Sequence, residues 1–457
     1  YEIVEFDDNR EAEHESARTL IRGEATCPFC GSQLSQNYIR EESQAGRLGI
    51  QLLATICLNK EGDRVFIGSK AGNESVPDEY EIKRRIQTLC EETGLTLPSE
   101  NLTEETARLL PRYGLREYQD LFTPRQLLCL MTYVKYLLRA HGQMLSQRYT
   151  SERARAITTC LALALDNQAE VNNAIGYWDP YSVRPGSAFR FNTLKFAWQF
   201  AELNPVASSS PHMPYTHRVA NTIDERAGTG LPAEVLCDSA TDLPFEDHSF
   251  DAIVTDPPYY DNVAYGNLSD FFYVWLRRAV GHLYPEQFAS NLTQKQEEVI
   301  VAPGSQEIRR ENARLEYERM MERALKEAAR VLKPGRLMSI FTYSLNPGDL
   351  KGFLKMARRS GFELFDAGKI QPERVKQLHS SQKSTSSTGY ALLLMFRKSR
   401  LTRDLSKERA DPGVVLRLVD QNESPVYGGL VDLLMERVDS DILDKCIPDW
   451  YAGSLQA

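Results

Sequence analysis

Asp256-Pro257-Pro258-Tyr259 gathers a carboxylate, two rigid backbone carbonyls and an aromatic ring into four positions. That set suits methylation of an exocyclic amine such as N6 of adenine. The amine is a poor nucleophile because its lone pair is delocalised into the ring. The Asp256 carboxylate and the Pro257 carbonyl can accept its two N–H bonds, drawing the nitrogen toward tetrahedral geometry and freeing the lone pair. Consecutive prolines hold that carbonyl still, which is the preorganisation a developing charge requires. Tyr259 offers a ring face to a flipped-out base, an interaction worth roughly 1–3 kcal/mol. Attack on the sulfonium methyl of S-adenosylmethionine then needs alignment more than a strong base. A turn can carry these four letters by chance, so their setting matters.

Cys27-Pro28-Phe29-Cys30-Gly31 is the second pattern. Two thiolates two residues apart, with glycine following, form the tight knuckle that wraps a tetrahedral zinc ion. A ribbon needs a second pair of ligands. Cys57 stands alone, and His14 precedes the knuckle. A redox Cys-x-x-Cys is the alternative, without the βαβ surroundings it usually has. Zinc held by Cys27 and Cys30 is the expectation, its other two ligands coming from upstream or from another chain.

The elements that must position these residues follow from periodicity. Phe250-Asp251-Ala252-Ile253-Val254-Thr255 reads as a strand that delivers Asp256 at its carboxyl end, where open α/β sheets bind ligands. Ala233 to Cys237 reads as an earlier strand ending at Asp238, with Leu243-Pro244-Phe245 and Asp247 beyond it. In such folds an acid at the position of Asp238 meets the adenine part of the cofactor, so Asp238, Ser239 and Asp256 are candidate cofactor contacts. Met321, Ala324, Leu325, Ala328 and Leu332 lie at helical spacing and predict a long amphipathic helix stopping at Lys333-Pro334-Gly335. A strand over 337–342, a helix over 350–359 and strands from Phe362 and over 390–396 follow. The alternation predicts an α/β fold, a doubly wound Rossmann-like sheet whose last two strands form an antiparallel edge.

Four segments result. Residues 1–77 make a partial zinc-ribbon-like module, with short strands over 52–56 and 64–67 around an Asn59–Asp63 turn. Residues 78–230 make a helical insertion with long connections, a candidate for DNA recognition. Thr123-Pro124 opens one of its helices, Thr as N-cap and Pro at the first helical position. Residues 231–400 form the catalytic core, and 401–457 a charged tail without a reading.

The chain of 457 residues has a net charge of −9 and no apolar run long enough for a membrane span. That charge argues weakly against a coating of basic surface, but a local stripe suffices for phosphates. Residues 369, 374, 376, 383, 397, 398 and 400 are Lys or Arg and supply one candidate, or an ordinary solvated loop. The six cysteines outside the knuckle are scattered and read as small buried hydrophobes in a reducing, cytoplasmic setting.

The run from Asp256 through Tyr260-Asp261-Asn262-Val263 to Leu268-Ser269-Asp270-Phe271-Phe272-Tyr273-Val274-Trp275-Leu276-Arg277-Arg278 resembles the signature of adenine-specific DNA methylases containing a zinc ribbon. The resemblance extends to the Cys27–Ile39 knuckle, Leu121 to Leu127 and Ala197 to Glu202. It implies an S-adenosylmethionine-dependent DNA methyltransferase with catalytic Asp256, Pro257, Pro258 and Tyr259, and a role in restriction-modification or antiviral self-marking. Family members also carry, before the ribbon, a glycine-rich cofactor loop and the first Cys pair. Gly228-Thr229-Gly230 follows no strand, and Tyr427-Gly428-Gly429 is too short and weakly placed to be that loop. A second polypeptide or upstream segment bearing the loop, the first strands and two zinc ligands is therefore expected. Methylation of cytosine N4 or of RNA, and a non-catalytic DNA-binding partner subunit, are the alternatives; a protein-glutamine methyltransferase would usually carry Asn at position 256.

Overall fold

The computed structural model describes residues 20–21, 24–27, 30–61, 63–68, 77–103, 107, 109–179, 184–190, 193–204, 212–227, 233–258, 264–300, 307–343, 347–370 and 391–399. The chain divides into two compact units, one comprising residues 1–231 and 265–295, the other 232–264 and 296–457. Tyr259, Gly228-Thr229-Gly230, Tyr427-Gly428-Gly429 and most of the basic stretch lie outside the described residues, as do His14, Cys446 and the tail.

In the first unit β1 (Leu20–Ile21), β2 (Glu24–Thr26) and β3 (Gln33–Leu34) form a small antiparallel sheet, followed by α1 (Gln36–Gln44). The expected hairpin is present as β4 (Ala54–Leu58) and β5 (Arg64–Gly68). Its turn closes where Asn59 N–H donates to the Asp63 carbonyl (2.8 Å) and Asp63 N–H to the Asn59 side chain (2.7 Å). Next come α2 (Glu79–Thr93), α3 (Pro124–Ser146) and α4 (Ser151–Val171). Two-residue strands β6 (Trp178–Asp179), β7 (Arg184–Pro185), β8 (Phe189–Arg190) and β9 (Thr193–Leu194), then α5 (His212–Arg226) and α6 (Tyr265–Val280), complete the unit.

Helix α3 begins as the sequence predicts. The Thr123 hydroxyl accepts Gln126 N–H, the Gln126 side chain accepts Thr123 N–H, and Pro124 fills the first helical position. Its Leu130, Met131 and Val134 share one core with Ala162, Leu165 and Ala169 of α4 and Phe271, Val274 and Trp275 of α6. A nearly buried fork of Arg278 grips both Glu100 oxygens at 3.1 Å and the carbonyls of Thr96 and Leu97 at 2.6 Å. This ties the connection after α2 to α6. No helix among the described residues is long and apolar enough to cross a membrane.

The second unit is a four-stranded mixed sheet, with β10 (Phe250–Thr255), α7 (Glu307–Val331), β11 (Leu332–Tyr343), α8 (Pro347–Arg359), β12 (Phe362–Ile370) and β13 (Ala391–Lys398). Spatial order is β10-β11-β13-β12, with β10 parallel to β11 and β13 antiparallel to both its neighbours. The α/β expectation holds, but β13 inserts inside the sheet, leaving β12 at the edge. Tyr317, Met321 and Leu325 of α7 and Leu350, Phe353 and Met356 of α8 join Met338, Ile340, Leu394 and Phe396 in a single core. Helix α7 ends at Val331, before the expected stop, so Leu332 begins β11 instead of closing the helix, and Lys333-Pro334-Gly335 lies inside that strand. The tripeptide bulges out of β11, with Phe250 paired to Leu332 and Ala252 to Leu337, and Gly335 at φ +74.

Two expectations are corrected. Ala233–Cys237 forms no strand, and Val235 and Leu236 are 87% and 49% exposed. A strand exists only where another satisfies its backbone groups, and among the described residues none pairs with β10 on the side away from β11. Cys57 and Cys237 are exposed rather than buried; Cys129, by contrast, is buried enough to push its thiol up to about 12.

Candidate functional site

Strand β10 ends at Thr255, which pairs with Ile340, so Asp256 emerges at the carboxyl edge beside the end of β11. The side chain of Asp256 is exposed, and the two prolines are half-buried. Tyr317 of α7, itself buried, donates its phenol hydrogen to the Pro258 carbonyl at 3.0 Å. One carbonyl of the turn is thereby engaged, while among the described residues no hydrogen bond reaches the Pro257 carbonyl. Asp256 and the Pro257 carbonyl thus stand together at the carboxyl end of β10, on a backbone that the bond from Tyr317 holds at Pro258.

Sequence reasoning missed Tyr317. The signal was there, since Tyr317 stands four residues before Met321 on the apolar face of α7. A phenol on that stripe meets the sheet core with its ring and can reach the strand's end with its hydroxyl.

Asp238 and Ser239 lie in the loop entering β10. The Asp238 carboxylate accepts Ser239 N–H at 2.8 Å, and the Ser239 hydroxyl meets that of Thr241 at 2.9 Å. Helix α7 clamps the remainder of the loop. Glu327 accepts Leu243 N–H (3.0 Å), and Arg330 donates to the carbonyls of Leu243 (2.9 Å) and Phe245 (2.7 Å) and to Asp247 (2.9 Å). Arg330, and then the Leu243 amide, hold the Glu327 carboxyl below its ordinary range. At the end of the clamp His248 adopts a left-handed φ of +59 and donates its N–H to the Arg330 carbonyl. The predicted contacts Asp238, Ser239 and Asp256 therefore flank β10, in one unit. The second oxygen of the exposed Asp238 carboxylate suits an N–H of a bound adenine.

In the other unit Cys27 and Cys30 do form a knuckle. Cys27 N–H bonds to the Ser32 carbonyl and Gly31 N–H to the Cys27 carbonyl, both at 2.9 Å, and Gly31 takes φ +74. The Ser32 hydroxyl, 3.2 Å from Sγ, holds the Cys30 thiol below its ordinary range. Among the described residues no group of three or more His, Cys, Asp or Glu could hold a metal ion.

Of the basic stretch, Arg397 stacks over the Phe365 ring at 3.9 Å, and the Lys398 ammonium lies 3.0 Å from His248 Nδ1.

Residues 250–422 match the N6/N4 methyltransferase family described as DNA methylase. No curated protein matches the chain. Among solved structures, a candidate DNA modification methylase from Thermus thermophilus is 15% identical, with 36% of this chain and 54% of that chain covered and a TM-score of 0.20. Its selenomethionine derivative gives 14%, 35%, 49% and 0.19. A SAM-dependent methyltransferase from Methanosarcina mazei is 16% identical, covering 40% of this chain and 76% of that one, with a TM-score of 0.21. The chain spans about half the length of the first of these structures. Nothing about this chain follows from likenesses of that size.

Proposed function

From the DNA methylase match over residues 250–422, we propose that the chain methylates the exocyclic N6 amine of adenine in DNA. The observation that carries this reading is the Asp256-Pro257-Pro258 loop at the carboxyl end of β10, pinned by the bond from Tyr317 to Pro258. Asp256 and the Pro257 carbonyl accept the amine hydrogens, and Tyr259 stacks on the flipped base. S-adenosylmethionine supplies the electrophilic methyl group. Asp238 and Ser239 would hold its adenine part, in a loop that Arg330 and Glu327 keep in place.

The reading includes a second polypeptide or further segment. Among the described residues no strand pairs with β10 on the side away from β11, where such a segment would pair. It would bring the glycine-rich cofactor loop and two cysteines that complete a zinc site with Cys27 and Cys30. Self-marking of DNA in restriction-modification or phage defence is the biological role that the sequence resemblance supports.

Transfer of tritium from labelled cofactor to DNA tests the reaction, and mapping the modified base distinguishes adenine N6 from cytosine N4. Product at N4 alone would overturn the adenine assignment. The lack of a glycine-rich loop after a strand in the sequence favours a second reading, a DNA-binding subunit without catalysis. Undiminished methylation by the assembled complex carrying Asp256→Ala would establish it.

A further inference from the structure

Remote from the Asp256 loop in sequence, the first unit carries an aromatic stack with cations at its margin. The rings of Tyr113 and Phe196 lie parallel, centroids 4.5 Å apart and planes at 11°. Trp198 stands edge-on to both, at 5.4 Å and 5.0 Å, and is 48% exposed. Phe196 roots the stack in the helical core.

The support is rigid. Ser43 of α1 donates its hydroxyl to the Tyr113 carbonyl (2.6 Å), and Gln44 its amide to that of Arg112 (3.1 Å). Gly114, at φ +80, allows this approach, because a Cβ there would sit 3.0 Å from the Ser43 carbonyl oxygen. Arg40, one helical turn before Ser43 and Gln44, places its guanidinium 5.8 Å from the Tyr113 ring centroid. Its Nε is buried without a hydrogen-bond partner, and Arg112, next to Tyr113 in the chain, is exposed. Among the described residues no carboxylate pairs with either arginine. In a chain of net charge −9, two arginines without a carboxylate partner among the described residues, one over the Tyr113 ring and one next to Tyr113 in the chain, are a local exception that suits phosphates.

We propose that Trp198, on the Tyr113–Phe196 stack, is a platform for an unpaired DNA base, with Arg40 and Arg112 meeting the adjoining phosphates. This rests on the DNA methyltransferase reading and adds a strand-holding surface separate from the Asp256 loop. Every base has a π-face, so such a platform binds single strands with little regard to sequence. A fixed ring also loses little side-chain freedom on binding.

The test is fluorescence anisotropy of the full chain with an end-labelled single-stranded oligonucleotide and with the same sequence as a blunt duplex. Trp198→Ala weakens single-strand binding roughly five- to hundredfold, and Trp198→Phe recovers most of the loss. Arg112→Gln lowers the slope of log affinity against log salt by about 0.7. Circular dichroism melts confirm that the variants fold. Wild-type single-strand affinity in folded Trp198→Ala overturns the platform; the methyltransferase reading then stands if the wild type still binds duplex. Failure of the wild type to bind either form overturns both.

Discussion

At the scale of single residues, the site depends on who engages each oxygen. Because the buried Tyr317 phenol donates to the Pro258 carbonyl, the turn cannot relax without losing that bond. Asp256→Ala or Asp256→Asn should abolish tritium transfer to DNA while the thermal melt is unchanged. Tyr317→Phe should reduce the single-turnover rate by several-fold, since a neutral hydrogen bond contributes about 1 kcal/mol. An unchanged rate would show that the turn holds itself. A different residue governs a pH effect. Asp166 is buried on α4, with one oxygen lacking a hydrogen-bond partner, and desolvation raises its carboxyl well above 3.8. The folded state then binds its proton more tightly than the unfolded chain does. Stability from this group is therefore greatest below that ordinary value and falls as pH rises toward the folded one. Urea titrations at pH 4 and pH 7.5 should show Asp166→Asn losing less stability on going to the higher pH than the wild type.

At the scale of elements, helix α7 works twice: its apolar face covers the sheet, and Glu327 and Arg330 hold the loop before β10. Replacing Arg330 with Gln frees two backbone carbonyls and Asp247 at once. Amides of residues 239–248 should then exchange several-fold faster with deuterium, while those of β11 and β13 stay protected. An unchanged exchange pattern would mean that the loop is held by its own turns. Helix α3 offers a simpler case. The Thr123 hydroxyl caps the helix and also donates to Glu202 at 2.7 Å. Thr123→Ala should cost about 1 kcal/mol, read as a lowered urea midpoint.

At the scale of the whole molecule, the two-part reading proposed above has another segment pair with β10 on the side where no described strand meets it, and complete a zinc site with Cys27 and Cys30. Calorimetry should show weak or no binding of S-adenosylmethionine to residues 1–457 alone, and clear binding once that segment is added. Metal analysis of the assembly should find about one zinc per complex, lost in Cys27→Ser. Cofactor binding by the isolated chain, together with methylation of DNA, would sink the two-part reading.

What the sequence determined by itself was local. The Asp-Pro-Pro turn at the end of an apolar strand, the Thr123-Pro124 cap, the Asn59–Asp63 turn and the thiol knuckle each depend on residues a few positions apart, so spacing alone reveals them. The tertiary structure decided everything that needed a distant partner. Ala233–Cys237 has a strand's composition but none of its pairing, because no neighbouring backbone meets it among the described residues. The place of β13 between β11 and β12, the grip of Arg278 on Glu100 and the bond from Tyr317 to Pro258 join positions dozens to hundreds of residues apart. Periodicity says that a phenol faces the core; only the packed helix says which carbonyl its hydroxyl reaches.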